Sequence, residues 1–181
     1  MRLFTGLDLP SEVAGALDIL LERLRPTARI KWSPPANLHI TIRFIGAWPE
    51  ERLPNLLSAL GGLPSHPPIP IHIRQVGFFP NPHAPRIFWA GVEAAPGLAA
   101  LASETDLALQ PLGLKPEGRP FNPHLTLARI KETVPLQQLR ETIGALPSLD
   151  FGSFSADRFF LYQSQPGRVG SVYTKLAEFP L

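Results

Sequence analysis

Cysteine is absent from all 181 residues. That excludes disulfides, thiolate metal sites and a cysteine nucleophile. Charge is scarce as well: charged residues make up 18% of the chain and the net charge is only +2. A non-specific nucleic-acid coat needs many phosphate contacts, so a nucleic-acid substrate would be gripped at a terminus and not along a duplex. No apolar run approaches the roughly 18 residues of a membrane span. The opening Met1–Pro10 carries Asp8 where a signal peptide would be uniformly apolar. A cytoplasmic location without membrane attachment is expected. Proline, by contrast, is abundant at 22 residues, well above a typical share of about 5%. It clusters at Ser33-Pro34-Pro35, Pro67-Pro68 and Pro80-Asn81-Pro82, between apolar segments, where it punctuates loops. With 44% hydrophobic residues, the chain has enough apolar material for one compact domain over residues 1–181.

Periodicity predicts an α+β fold. Arg2–Leu9 reads as a strand. Ser11 is the expected N-cap of a helix carrying Val13, Leu17, Leu20, Leu21 and Leu24. Ile30–Trp32 and Leu38–Ile45 read as extended. In the second, Leu38, Ile40, Ile42 and Phe44 alternate with His39, Thr41 and Arg43. A second helix is expected around Leu53, Leu56, Leu57 and Leu60, with Pro54 tolerable only in its first turn. Strands over Ile69–Val76 and Arg86–Val92 precede a helix opened by Pro96. Phe121–Ile130 is again extended, and a helix through Leu136, Leu139 and Ile143 ends near Gly144. Strands over Phe151–Tyr162 and Ser171–Phe179 close the chain.

An internal echo carries the function. Asn37-Leu38-His39-Ile40-Thr41-Ile42 returns, half a chain later, as Asn122-Pro123-His124-Leu125-Thr126-Leu127. Residues i and i+2 of a strand share a face, so each histidine stands beside its threonine above an apolar row. Two such rows predict two pseudo-symmetric lobes, each lending one strand to a shared cleft. Two imidazoles and two hydroxyls around one point suit phosphodiester hydrolysis. One histidine takes a proton from water and the other gives one to the leaving oxygen. The threonines hydrogen-bond non-bridging phosphate oxygens. Nothing in the residues themselves says which histidine is the acid.

The two motifs, extended to Asn37–Gly46 and Arg119–Arg129, resemble those of the LigT/ThpR-type RNA 2′,3′-cyclic phosphodiesterases, formerly called 2′–5′ RNA ligases, of the two-histidine (2H) phosphoesterase superfamily. Weaker echoes lie at Arg2-Leu3-Phe4, Pro85–Val92, Tyr173–Leu176 and Phe179–Leu181. The resemblance implies a bilobal α+β fold of antiparallel sheets with outer helices around a central cleft. It implies no metal or other cofactor and opening of RNA-terminal 2′,3′-cyclic phosphates, or of small cyclic-phosphate nucleotides, to 2′-phosphates. In the family's pattern the first histidine is the proton donor and the second the acceptor, here His39 and His124. Arg129 matches the family's functional arginine.

Supporting roles follow for other residues. Arg129 lies five positions after His124, on the opposite face by strict alternation, so it needs a strand end or a bulge to reach phosphate. Arg43 shares the His39 face by parity and is expected at the cleft rim. Arg86 is a further phosphate candidate, and Phe121 and Trp32 are candidates for stacking a base. His66, His72 and His83 lack an accompanying carboxylate cluster, and no metal site is expected. Two other readings compete with hydrolysis. One is a 2′–5′ RNA ligase using the same histidines in reverse, which bulk water disfavours. The other is a non-catalytic RNA-end binding module, against which the presence of both histidines argues. No obligate protein partner is evident.

Overall fold

A computed structural model describes residues 1–181. Nine strands form two antiparallel sheets, and four helices cover their outer faces. The strands are β1 (Arg2–Leu7), β2 (Lys31–Trp32), β3 (Ile40–Ala47), β4 (Ile69–Phe79), β5 (Ile87–Ala94), β6 (His124–Arg129), β7 (Asp150–Ala156), β8 (Arg158–Pro166) and β9 (Ser171–Pro180). The helices are α1 (Ser11–Leu24), α2 (Leu53–Gly61), α3 (Gly97–Leu109) and α4 (Gln137–Gly144). One sheet has the order β3-β1-β8-β9 and the other β2-β6-β5-β4-β7. No helix is long and apolar enough to cross a membrane.

The element pattern follows from side-chain periodicity. In α1, Val13, Leu17, Leu20, Leu21 and Leu24 are buried, each worth about 1.5–3 kcal/mol of apolar transfer. Their stripe packs on β7 and α4, while α3 packs on β3 and α2. Three details differ from expectation. Ser11 is the first residue of α1, and Pro10 holds the cap position without a side-chain bond. The stretch Phe151–Tyr162 is two strands, because Asp157 ends β7 and β8 pairs with the other sheet. Phe44 is 48% exposed and Ile45 is buried in its place.

The two sheets are interleaved in sequence. Strands β4 and β5 follow β3 in the chain yet join β6, and β8 and β9 follow β6 yet join β1 beside β3. Each sheet is therefore built from both halves of the chain and carries one motif strand. A continuous apolar core of 33 residues runs through both. The chain passes from β2 to β3 through Ser33–His39, and Ser33 is anchored to the second motif. Its amide donates to the Leu127 carbonyl at 2.8 Å, and its hydroxyl to the Thr126 carbonyl at 2.8 Å. The segment that delivers His39 is thus fastened to the strand that carries His124.

Candidate active site

Strands β3 and β6 meet across the sheets, and each presents a half-buried histidine and threonine. His39 sits just before β3, and its Nδ1 lies 2.7 Å from the Asn37 carbonyl. His124 opens β6, and its Nδ1 lies 2.9 Å from the Asn122 carbonyl. A carbonyl oxygen only accepts, so Nδ1 carries the proton in both rings and donates it. That fixes the neutral tautomer and leaves Nε2 of each histidine as the reactive nitrogen. At His39 the Thr41 hydroxyl lies 3.0 Å from Nε2 and donates to it when the ring is neutral.

Both strands break alternation at the same place. In the β1–β3 ladder Thr5 pairs with Arg43 and Gly6 with Thr41, so Ile42 is an extra residue. In the β5–β6 ladder Phe88 pairs with Ala128 and Trp89 with Thr126, so Leu127 is the extra one. A bulge three residues past each histidine inverts the parity beyond it. Leu127 and Ala128 are consequently both buried, and Arg129 returns to the face of His124 and Thr126. Of the strand end or bulge expected for Arg129, both are present: a bulge at Leu127 and the end of β6 at Arg129 itself.

The same inversion corrects the expectation for Arg43. Past Ile42 it turns away from the cleft and under α3. Its Nε donates to Asp106 Oδ1 at 2.7 Å, and its terminal nitrogens donate to the carbonyls of Lys115 and Phe44 at 2.6 and 2.9 Å. With 11% of the side chain exposed, no face of the guanidinium is left for phosphate. Phe44, not Arg43, occupies the position equivalent to Arg129.

A family model described as LigT-like phosphoesterase matches residues 7–89 and 91–173, one stretch around each motif. The chain belongs to this family. Among relatives of this LigT-like phosphoesterase, a protein of Thermus thermophilus named RNA 2′,3′-cyclic phosphodiesterase is 36% identical over 190 residues, covering 100% of this chain and 90% of the relative. One of the same name from Methanothermobacter thermautotrophicus is 31% identical, covering 100% and 99%. A solved Thermus thermophilus structure superposes with a TM-score of 0.83 at 35% identity, covering 100% of this chain and 98% of that one. The crystal structure of E. coli LigT complexed with 3′-AMP gives 0.81 at 26% identity, covering 99% and 97%.

The surroundings of the phosphoesterase's two histidines differ. His39 is walled by aromatic rings on the cleft face of the four-stranded sheet. Phe4 from β1 is 4.7 Å away between centroids, Tyr173 from β9 is 5.2 Å away and edge-on, and Tyr162 from β8 is 5.9 Å away. Burial pushes the His39 pKa below its ordinary 6.5, and the positive charges of Arg129 and His124 push it further, against a raising hydrogen bond to Asn37. Burial also raises the Tyr162 hydroxyl, assisted by the negative charge of Asp8. The members of this wall come from three strands far apart in the chain, and two of them, Phe4 and Tyr173, lie in the weaker echoes Arg2-Leu3-Phe4 and Tyr173–Leu176.

The remaining candidates lie elsewhere. The Trp32 indole donates to the Ala28 carbonyl at 3.1 Å and packs edge-on against buried Phe88, so its ring is a core element and not a base platform. Phe121 is partly buried against the main core. Arg86 precedes β5 at the end remote from Gly91, which pairs with His124, and its guanidinium donates to the Lys131 carbonyl at 3.2 Å. It lines an open 470 Å³ pocket with His83 and Arg140, away from the histidines. His66 bonds Glu104 at 2.6 Å and His72 bonds Asp150 at 2.9 Å.

Proposed function

We propose that the protein hydrolyses the 2′,3′-cyclic phosphate at the end of an RNA to a 2′-phosphate and a free 3′-hydroxyl, without a metal ion. His39 is the proton donor and His124 the proton acceptor. The observation that carries this reading is the pair of carbonyl clamps. Each leaves Nε2 as the free nitrogen, and His124 and Arg129 stand near enough for their charges to act on His39. The names of the relatives support the substrate class.

The step balances as follows. His124 Nε2 takes a proton from water as its oxygen attacks phosphorus opposite O3′. The P–O3′ bond breaks, and O3′ leaves with the proton of His39 Nε2. Thr41 and Thr126 donate to the non-bridging oxygens, and the Arg129 guanidinium neutralises the charge that develops there. Afterwards His39 is neutral and His124 protonated, and exchange with solvent restores both.

The depressed His39 pKa bears on the donor role. In the empty site the ring prefers to be neutral, as a donor should not be. An arriving phosphate anion counters the fields of Arg129 and His124 and favours the charged ring. A proton held weakly there is also one readily given to O3′. The test is incubation of a dinucleotide ending in a 2′,3′-cyclic phosphate with the protein and EDTA, followed by phosphorus NMR. A 2′-phosphate formed catalytically supports the reading. A 3′-phosphate, or activity only after a divalent ion is restored, overturns it.

A further inference from the structure

Strand β2 is two residues long, yet it fixes the surroundings of Arg129. Lys31 stands directly opposite Arg129, and Trp32 opposite Ala128. Opposed residues of an antiparallel pair project to the same side. Trp32 and Ala128 take the core side, which puts Lys31 with Arg129 on the side of His124 and Thr126. Both cations are exposed. Neither has a carboxylate within ion-pair distance.

The β8–β9 hairpin borders this pair. A Cβ added at Gly170 would lie 3.8 Å from Lys31 Cε. The same hairpin is held beside the first motif by the Asn37 side-chain amide, which donates to the Ser171 carbonyl at 2.7 Å. Lys31 is therefore fenced between the hairpin and Arg129, at the outer end of the cleft face. Side by side and exposed, the two cations make a local positive site in a protein whose net charge is only +2. One phosphate accounts for Arg129. A second anion, one strand spacing further out, accounts for Lys31.

We propose that Lys31 binds the phosphodiester one step upstream of the reacting cyclic phosphate, the 5′ phosphate of the terminal nucleotide. The inference rests on the phosphodiesterase reading of the site. It makes the enzyme discriminate an RNA end from a free nucleoside cyclic phosphate by charge and not by base. Lysine suits this task, since a compact ammonium with rotatable donors holds a backbone phosphate without reading sequence.

The experiment compares kcat/KM for adenosine 2′,3′-cyclic phosphate, which has no 5′ phosphate, with that for the adenylyl dinucleotide ending in a 2′,3′-cyclic phosphate. The intact protein is expected to prefer the dinucleotide by about tenfold or more, the scale of one charge-assisted hydrogen bond. Lys31→Ala should abolish that preference and leave the mononucleoside rate as it was. For the dinucleotide, the slope of log kcat/KM against log salt should become shallower by about one in the variant. Equal rates for both substrates with the intact protein overturn the proposal. So does an equal loss on both substrates in Lys31→Ala. Failure to open either substrate sinks the phosphodiesterase reading itself and this one with it. Success on the mononucleoside without a dinucleotide preference sinks this one alone.

Discussion

His39 and His124 share a frame and differ in what surrounds it. Each binds the carbonyl two residues upstream through Nδ1, at 2.7 and 2.9 Å. Each is followed by a threonine on its own face and by a bulge one residue beyond it. The fifth residue after His124 is Arg129, and the fifth after His39 is Phe44. The ring of His39 lies among Phe4, Tyr162 and Tyr173, where burial lowers its pKa. The shared part is backbone geometry and follows from the repeated motif. The unshared part comes from neighbouring strands.

The strongest way to break the comparison is to remove each histidine in turn. His39→Ala and His124→Ala should each lower turnover by about 10²–10⁴, the usual contribution of general acid–base catalysis. Circular dichroism should show both still folded, because both rings line a cleft. Turnover near that of the intact protein in either variant would take that histidine out of the mechanism.

The two arginines that follow the bulges sharpen the contrast. Arg129→Ala should lose on the order of 10² in kcat, as for removal of one preorganised donor to a developing oxyanion. Arg43→Ala should act on stability. It leaves Asp106, 18% exposed and also accepting from the Glu117 amide, without its guanidinium, at a cost of about 2 kcal/mol in denaturant unfolding. A kinetic loss in Arg43→Ala as large as that in Arg129→Ala would return Arg43 to the cleft.

A smaller effect concerns the wall. Tyr173→Ala admits water to His39, relieves the desolvation that lowers its pKa, and should move its NMR titration upward toward 6.5. The sign for stability follows from the same shift. His39 has a folded pKa below its unfolded value, so below about pH 6.5 the unfolded chain binds the proton that the native site resists. Stability therefore falls as pH drops through that window, and His39→Gln should show a shallower fall. Identical slopes would mean that His39 is not desolvated.

Much of this site is legible in the sequence because it depends on local alternation. The repeated histidine, threonine and preceding asparagine lie within six residues of one another, and the strands that hold them read cleanly. What parity alone could not locate is the bulge. It is set by pairing with β1 and β5, partners distant in sequence, and it moves Arg129 into the cleft and Arg43 and Phe44 out of their expected faces. Phe4 and Tyr173 lie in segments the sequence does mark, but their meeting with Tyr162 around His39 depends on the same distant pairings. The division of Phe151–Tyr162 into two strands is hidden, because both halves are apolar and only the sheet they join differs. Trp32 and Phe121 show the limit of residue type as a guide, since an aromatic ring beside a motif packs into the core as readily as it stacks on a base.

The central claim is that His39 donates and His124 accepts. It is tested most directly with a substrate whose 3′ bridging oxygen is replaced by sulfur, a thiolate that leaves without needing a proton, given a thiol pKa of about 8.5. Turnover of this 2′,3′-cyclic 3′-phosphorothiolate should be largely restored in His39→Ala and remain lost in His124→Ala. Restoration in His124→Ala with none in His39→Ala would contradict the assignment and reverse the two roles.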